Sequence, residues 1–137
     1  MHVAIRYFTK SKKGNTKKLA KTVSEALGLP AESVETDLTE KADRLILINA
    51  MYAADIDPEV KAFLERNREK IGEVFNMNTS ATGRSTLPAV KKAAEKLGVA
   101  VSDRAFHCRA SWIFMNQGLP GEAELTAAAE FAKSVLN

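Results

Sequence analysis

Leu45-Ile46-Leu47-Ile48 is an unbroken aliphatic run, and no other stretch constrains the fold as much. A strand with one face in water alternates apolar and polar residues. A strand that is apolar at every position is covered on both sides, as the central strands of parallel sheets are. The rest of the chain supplies the elements such a sheet needs. Val3 to Phe8 is an apolar strand broken only by Arg6. From Thr16 onward, Leu19, Ala20, Val23, Ala26 and Leu27 fall on one helical face, and Gly28 followed by Pro30 closes the helix. Ser33 to Thr36 reads as a short second strand. Asp57-Pro58 caps a helix carrying Val60, Phe63 and Leu64. Val74 to Met77 is a fourth strand, followed by the polar stretch Thr79 to Thr86. Leu87 to Leu97 is helical and stops at Gly98. Val99 to Val101 and Phe106 to Cys108 read as two halves of a fifth strand, broken by Ser102-Asp103-Arg104. Glu122 to Leu136 is a closing amphipathic helix.

Strands and helices in this alternation predict an α/β chain folded as a three-layer doubly wound sandwich. The stretch from Ser33 to Asp43 is too short for a full helix, so the crossover between strands two and three is expected to be short or irregular. No repeat, low-complexity tract or linker interrupts the pattern. Residues 1–137 therefore read as a single domain, long enough to bury a core and too short for two.

Composition narrows the classes. The net charge of +3 suits a small anionic ligand better than a nucleic-acid backbone, which calls for a denser basic face. One cysteine excludes an internal disulfide framework and a multi-cysteine metal site. The N-terminal apolar run is too short for a signal segment or a membrane span, and nothing else approaches membrane length. A cytoplasmic protein without nucleic-acid or membrane partners is expected.

The chemistry gathers where the first strand ends. Ser11-Lys12-Lys13-Gly14-Asn15-Thr16 forms a turn that opens a helix. Such a turn aims several backbone N–H groups at one point, and the helix N-terminus adds partial positive charge there. Lys12, Lys13, Lys17 and Lys18 crowd the same place, where cations oppose the helix dipole. A bound phosphate reverses that sign. A solvated lysine face is the ordinary alternative.

With Ser11-x-x-Gly14-Asn15-Thr16 at the end of strand one, the run Tyr7 to Ala20 resembles the phosphate-binding loop of flavodoxins. The likeness extends over the whole chain, including the divided fifth strand and the closing helix. It implies a five-stranded parallel sheet of order 2-1-3-4-5, with FMN at the carboxyl ends of the strands near the switch point. It also implies electron transfer with a redox partner protein. The chain departs from the family in two ways: Lys13 stands where a Thr is usual, and the pI is near 9.0 in a family that is usually acidic.

The resemblance further implies which loops touch the flavin. Ser11, Lys12, Lys13, Gly14, Asn15 and Thr16 would hold the phosphate. In the loop after strand three, Ala50, Met51, Tyr52 and Ala53 would border one face of the isoalloxazine, with Met51 or Tyr52 against the ring. That loop has no Gly between Asn49 and Asp55, which disfavours any backbone state requiring positive φ. After strand four, Thr79, Ser80, Ala81, Thr82 and Gly83 would border the other side; Arg84 is the marginal member. The same residues also suit a plain turn leading to a Ser or Thr helix cap.

Other classes fit less well. His107 and Cys108 are adjacent on a strand and point to opposite faces, so a structural role is expected. Trp112 more often packs than reacts. A P-loop nucleotidase would need a Gly-x-x-x-x-Gly-Lys-Ser/Thr motif, which is absent. The alternative kept open is a flavodoxin-like interaction module that has lost stable FMN binding.

Overall fold

In the computed structural model, residues 1–10, 14–53, 55–111 and 118–137 are described. The strands are β1 (Val3–Tyr7), β2 (Ala31–Ser33), β3 (Ala42–Ala50), β4 (Ile71–Ser80), β5 (Ala100–Val101) and β6 (Phe106–Arg109). The helices are α1 (Asn15–Leu27), α2 (Pro58–Asn67), α3 (Leu87–Glu95) and α4 (Glu122–Val135), with a 3₁₀ turn at Arg68–Lys70. The sheet is parallel throughout and runs β2-β1-β3-β4-β5, with β6 also beside β4. The expected order 2-1-3-4-5 is therefore present. Its edge strand is divided as expected: Glu73 and Val74 pair with β5, and Met77 to Ser80 pair with β6.

Leu45, Ile46, Leu47 and Ile48 have no exposed surface. Alternate residues of β3 point to opposite faces. Leu45 and Leu47 pack with Val60, Phe63 and Leu64 of α2 and with Val90 and Ala94 of α3. Ile46 and Ile48 pack with Leu19, Ala20 and Val23 of α1 and with Ala128, Ala132 and Val135 of α4. These two apolar layers make the three-layer sandwich. Helix boundaries follow local chemistry. Gly28, at φ 65°, ends α1 in the left-handed conformation that a Cβ disfavours. Asp57 caps α2 by accepting from the Glu59 N–H at 2.9 Å.

The second strand lies earlier than expected, at Ala31–Ser33 and not Ser33 to Thr36. The reason is local hydrogen bonding. Ser33 Oγ accepts from the Glu35 N–H and the Ser33 carbonyl from the Thr36 N–H, so the chain turns instead of extending. Val34 is apolar and buried, but it is buried inside that turn.

The crossover from β2 to β3 contains no helix, as its length required. Its backbone polar groups find side chains instead. Arg6 Nε donates to the Thr36 carbonyl at 2.9 Å, and Arg66 Nη2 donates to the Val34 carbonyl at 2.9 Å. Asn67 Oδ1 accepts from the Leu38 N–H at 2.9 Å, and Lys70 Nζ donates to the Leu38 carbonyl. Arg6 thus interrupts an apolar strand because it carries donors to a segment without a ladder of its own.

Candidate functional site

The loops that leave the carboxyl ends of β1, β3 and β4 surround a cleft of about 600 Å³, joined by Ala110 and Ser111 after β6. From the first loop, Thr9, Lys10, Gly14, Asn15 and Thr16 line it. Gly14 is the N-cap of α1 and has no side chain to accept from the first-turn N–H groups, and no acidic residue lies in that turn. The positive end of α1 therefore opens on the cleft without an internal counter-charge. Asn15 Nδ2 donates to both the carbonyl and the hydroxyl of Ser111 at 3.1 Å, tying this loop to the segment after β6. Thr16 and Thr79 hydroxyls lie 3.0 Å apart and are buried. One proton serves that contact, which leaves the other hydroxyl able to donate to a ligand. Lys18 is drawn elsewhere: its ammonium donates to the Pro120 carbonyl at 3.0 Å. Ser11, Lys12 and Lys13 lie outside the described residues, as does Trp112.

From the second loop, Ala50, Met51, Tyr52 and Ala53 line the cleft. Tyr52 and Asp55 exchange backbone hydrogen bonds at 2.8 and 2.9 Å, closing a tight turn. Ala53 sits there at φ 50°, the conformation its Cβ was expected to disfavour. A cost of roughly 1–2 kcal/mol is normal for such a residue, and the paired bonds of the turn offset it. Asp55 also accepts from Lys61 Nζ at 2.8 Å and from the Ile56 N–H, which hold its carboxyl below the ordinary range. Tyr52 is half-buried, and burial pushes its phenol up.

From the third loop, Thr79, Ser80, Ala81 and Thr82 line the cleft, whereas Gly83 is not among its lining residues. Gly83 has φ 78°, and a Cβ there would stand 3.1 Å from the Arg109 guanidinium. Arg84 contributes its carbonyl, which accepts from Asn78 Nδ2 and Ser80 Oγ, both at 3.0 Å. Ser85 Oγ accepts from the Leu87 N–H at the start of α3.

Beneath these loops lies a closed polar ring. Asn49 Nδ2 donates to Asn76 Oδ1 at 2.7 Å, Asn76 Nδ2 to Thr86 Oγ1 at 2.9 Å, and Thr86 Oγ1 to Asn49 Oδ1 at 2.7 Å. Asn78 Oδ1 then accepts from the Thr86 N–H at 3.0 Å. All four residues are buried, so their polar atoms require partners. The ring ties the ends of β3 and β4 to the start of α3. Sequence reading missed these four residues, and also Thr9, Lys10, Ala110 and Ser111. The available signal was the spacing of Asn76 and Asn78, two apart in a strand, which places them on one face.

Cys108 is buried while His107 is exposed, as opposite faces demand. Burial, aided by Glu124, pushes the Cys108 thiol up to about 11. Little thiolate exists near neutral pH, and the thiolate is the nucleophile. Alkylation by iodoacetamide at pH 8 is therefore expected to run about 100-fold slower in the folded protein than in urea. Equal rates in both would show that Cys108 is reactive. Among the described residues, no group of three His, Cys, Asp or Glu is placed to hold a metal. No described helix is long and apolar enough to cross a membrane.

No protein-family model matches the chain, and no curated protein matches it in sequence. Solved structures do match in shape. A short-chain flavodoxin associated with a PDU bacterial microcompartment superposes with a TM-score of 0.70 at 19% identity, covering 99% of this chain and 97% of its own. A flavodoxin from the domain Archaea gives 0.70 at 13% identity, over 100% of both chains. The chain has the flavodoxin-like fold. It also superposes, over 98% of its length, on 35% of the rubredoxin oxygen:oxidoreductase of Desulfovibrio gigas, with a TM-score of 0.70 and 14% identity. In a flavodoxin-like sheet the strand order reverses between β1 and β3, and ligands bind beyond the carboxyl ends at that point. The cleft lies there.

Proposed function

We propose that the chain binds FMN in this cleft and carries electrons. The observation that carries the reading is the α1 N-terminus: its first turn has no capping side chain and no acid, and it opens on the cleft. A phosphate accepts from such N–H groups and completes the helix end. The cleft also has the size of ordinary cofactor sites, about 300–1,000 Å³. Met51 and Tyr52 supply the apolar wall a flat ring needs, and Thr79, Ser80 and Thr82 supply hydroxyls at its polar edge. FMN, when bound, supplies the electron chemistry, and the protein orients it and sets its potential. The residues present fit the group.

A cytoplasmic electron carrier of this kind works with a redox partner protein, not with nucleic acid or a membrane. With a pI near 9.0, its encounter with that partner is steered by an acidic or neutral face.

Flavin titration followed by fluorescence quenching tests the reading. FMN is expected to bind at least about 100-fold more tightly than riboflavin, since each charge-assisted hydrogen bond to phosphate contributes roughly 1.5–3 kcal/mol. Equal affinities would remove the phosphate from the α1 N-terminus. No binding of either flavin would leave an interaction module built on the same fold.

A further inference from the structure

Lys10 is the one charged side chain among the described residues that line the cleft. It is held in place although it is largely exposed. Its ammonium lies 4.3 Å from the centroid of the Tyr52 ring. The ammonium also lies 3.7 Å from Asp57 Oδ2, while Asp57 Oδ1 is engaged as the cap of α2. A cation at this distance from an aromatic face is attracted by the ring quadrupole. Lys10 thus belongs to the Tyr52 wall of the cleft, with its own tie to the start of α2.

Its one described ion-pair partner, Asp57, is nearly buried and is not a lining residue, so the Lys10 ammonium is the charge that faces the cleft. No carboxylate is among the described lining residues. Asp55, beside the turn, is paired with Lys61. Asp57 is the only carboxylate facing Lys10 among the described ion pairs, and its second oxygen is committed to a backbone N–H.

We propose that Lys10 makes the cleft prefer the reduced state of its flavin over the oxidised one. This rests on the FMN reading above and deepens it. Two electrons from a reductant and one proton from water convert the neutral oxidised ring into a reduced ring with one negative charge. A fixed cation nearby favours that charged form. Reduced flavin therefore binds more tightly than oxidised flavin relative to a site lacking the cation, and the midpoint potential rises. Lys10 acts here as a positioning and tuning residue, not as a proton donor.

The test is an anaerobic dithionite titration of the FMN-loaded parent, Lys10→Gln and Lys10→Arg, each equilibrated with a reference dye at pH 8. Affinities for oxidised FMN and riboflavin are measured in parallel. The ratio of affinities for reduced over oxidised FMN is expected to fall at least tenfold in Lys10→Gln, read as a more negative midpoint, and to stay within about threefold in Lys10→Arg. An unchanged midpoint in flavin-loaded Lys10→Gln overturns the proposal and leaves the FMN reading standing. A loss of FMN-over-riboflavin preference in Lys10→Gln also overturns it, because Lys10 would then be a phosphate ligand. A parent protein that binds no flavin overturns both.

Discussion

Gly72→Ala is expected to destabilise the protein by about 3 kcal/mol, near the upper range for forcing atoms into a packed interior. Gly72 lies in β4, between the pairs Ala42–Ile71 and Arg44–Glu73 that join it to β3. A Cβ at Gly72 would collide with the Asp43 carbonyl oxygen and stand 3.0 Å from the Asp43 carbonyl carbon and 3.1 Å from its Cα. These are backbone atoms of the neighbouring strand, so no side chain can rotate out of the way. Asp43 itself cannot retreat easily, because its N–H donates to the His2 carbonyl and its carboxylate accepts from the His2 N–H. The two longest strands of the sheet must part, or twist, where they meet. Urea unfolding of parent and variant measures the effect. A midpoint shift worth less than 0.5 kcal/mol, a value within the usual range for neutral surface changes, would show that β3 and β4 have slack here.

Thr86→Val is expected to cost a similar amount by a different route. The substitution keeps the shape and removes one hydroxyl. Asn76 Nδ2 then loses its acceptor and Asn49 Oδ1 its donor, both in a buried ring. Each orphaned buried polar atom costs roughly 1–3 kcal/mol, giving about 3 kcal/mol together. Thr86→Ser restores the hydroxyl and is expected to recover most of the loss. Because the ring sits beneath the loops that line the cleft, flavin affinity in Thr86→Val should fall along with stability. A variant as stable as the parent would mean that the ring is not needed to hold the strand ends together.

The parts of the fold that were legible in the sequence share one cause: local pattern and tertiary packing agree there. Leu45 to Ile48 has no polar residue to misplace, and Gly28, Asp57 and Gly98 mark helix ends by their own chemistry. The second strand stops before Val34, whose N–H makes one last bond to the Tyr7 carbonyl before the chain turns. Val34 fills the core from within a turn made by Ser33. The loops of the candidate site were legible as strand ends, since topology alone brings them together. What they rest on was not. Asn49, Asn76, Asn78 and Thr86 look like turn residues one at a time, and only the pairing of β3 with β4, with the start of α3 seated against them, brings the asparagine amides to Thr86. Lys10 was likewise one lysine among several, until the Tyr52 ring fixed its place.

The short outer strands of the sheet have a consequence for solution behaviour. On one border the ladder ends in the three residues of β2, and on the other it is split between two residues of β5 and four of β6. A second molecule seeking to extend the sheet sideways would find few backbone groups in register before the border turns away. Long, straight, unprotected borders template fibrils. This sheet keeps its longest strands, β3 and β4, in the interior, where another chain cannot reach them.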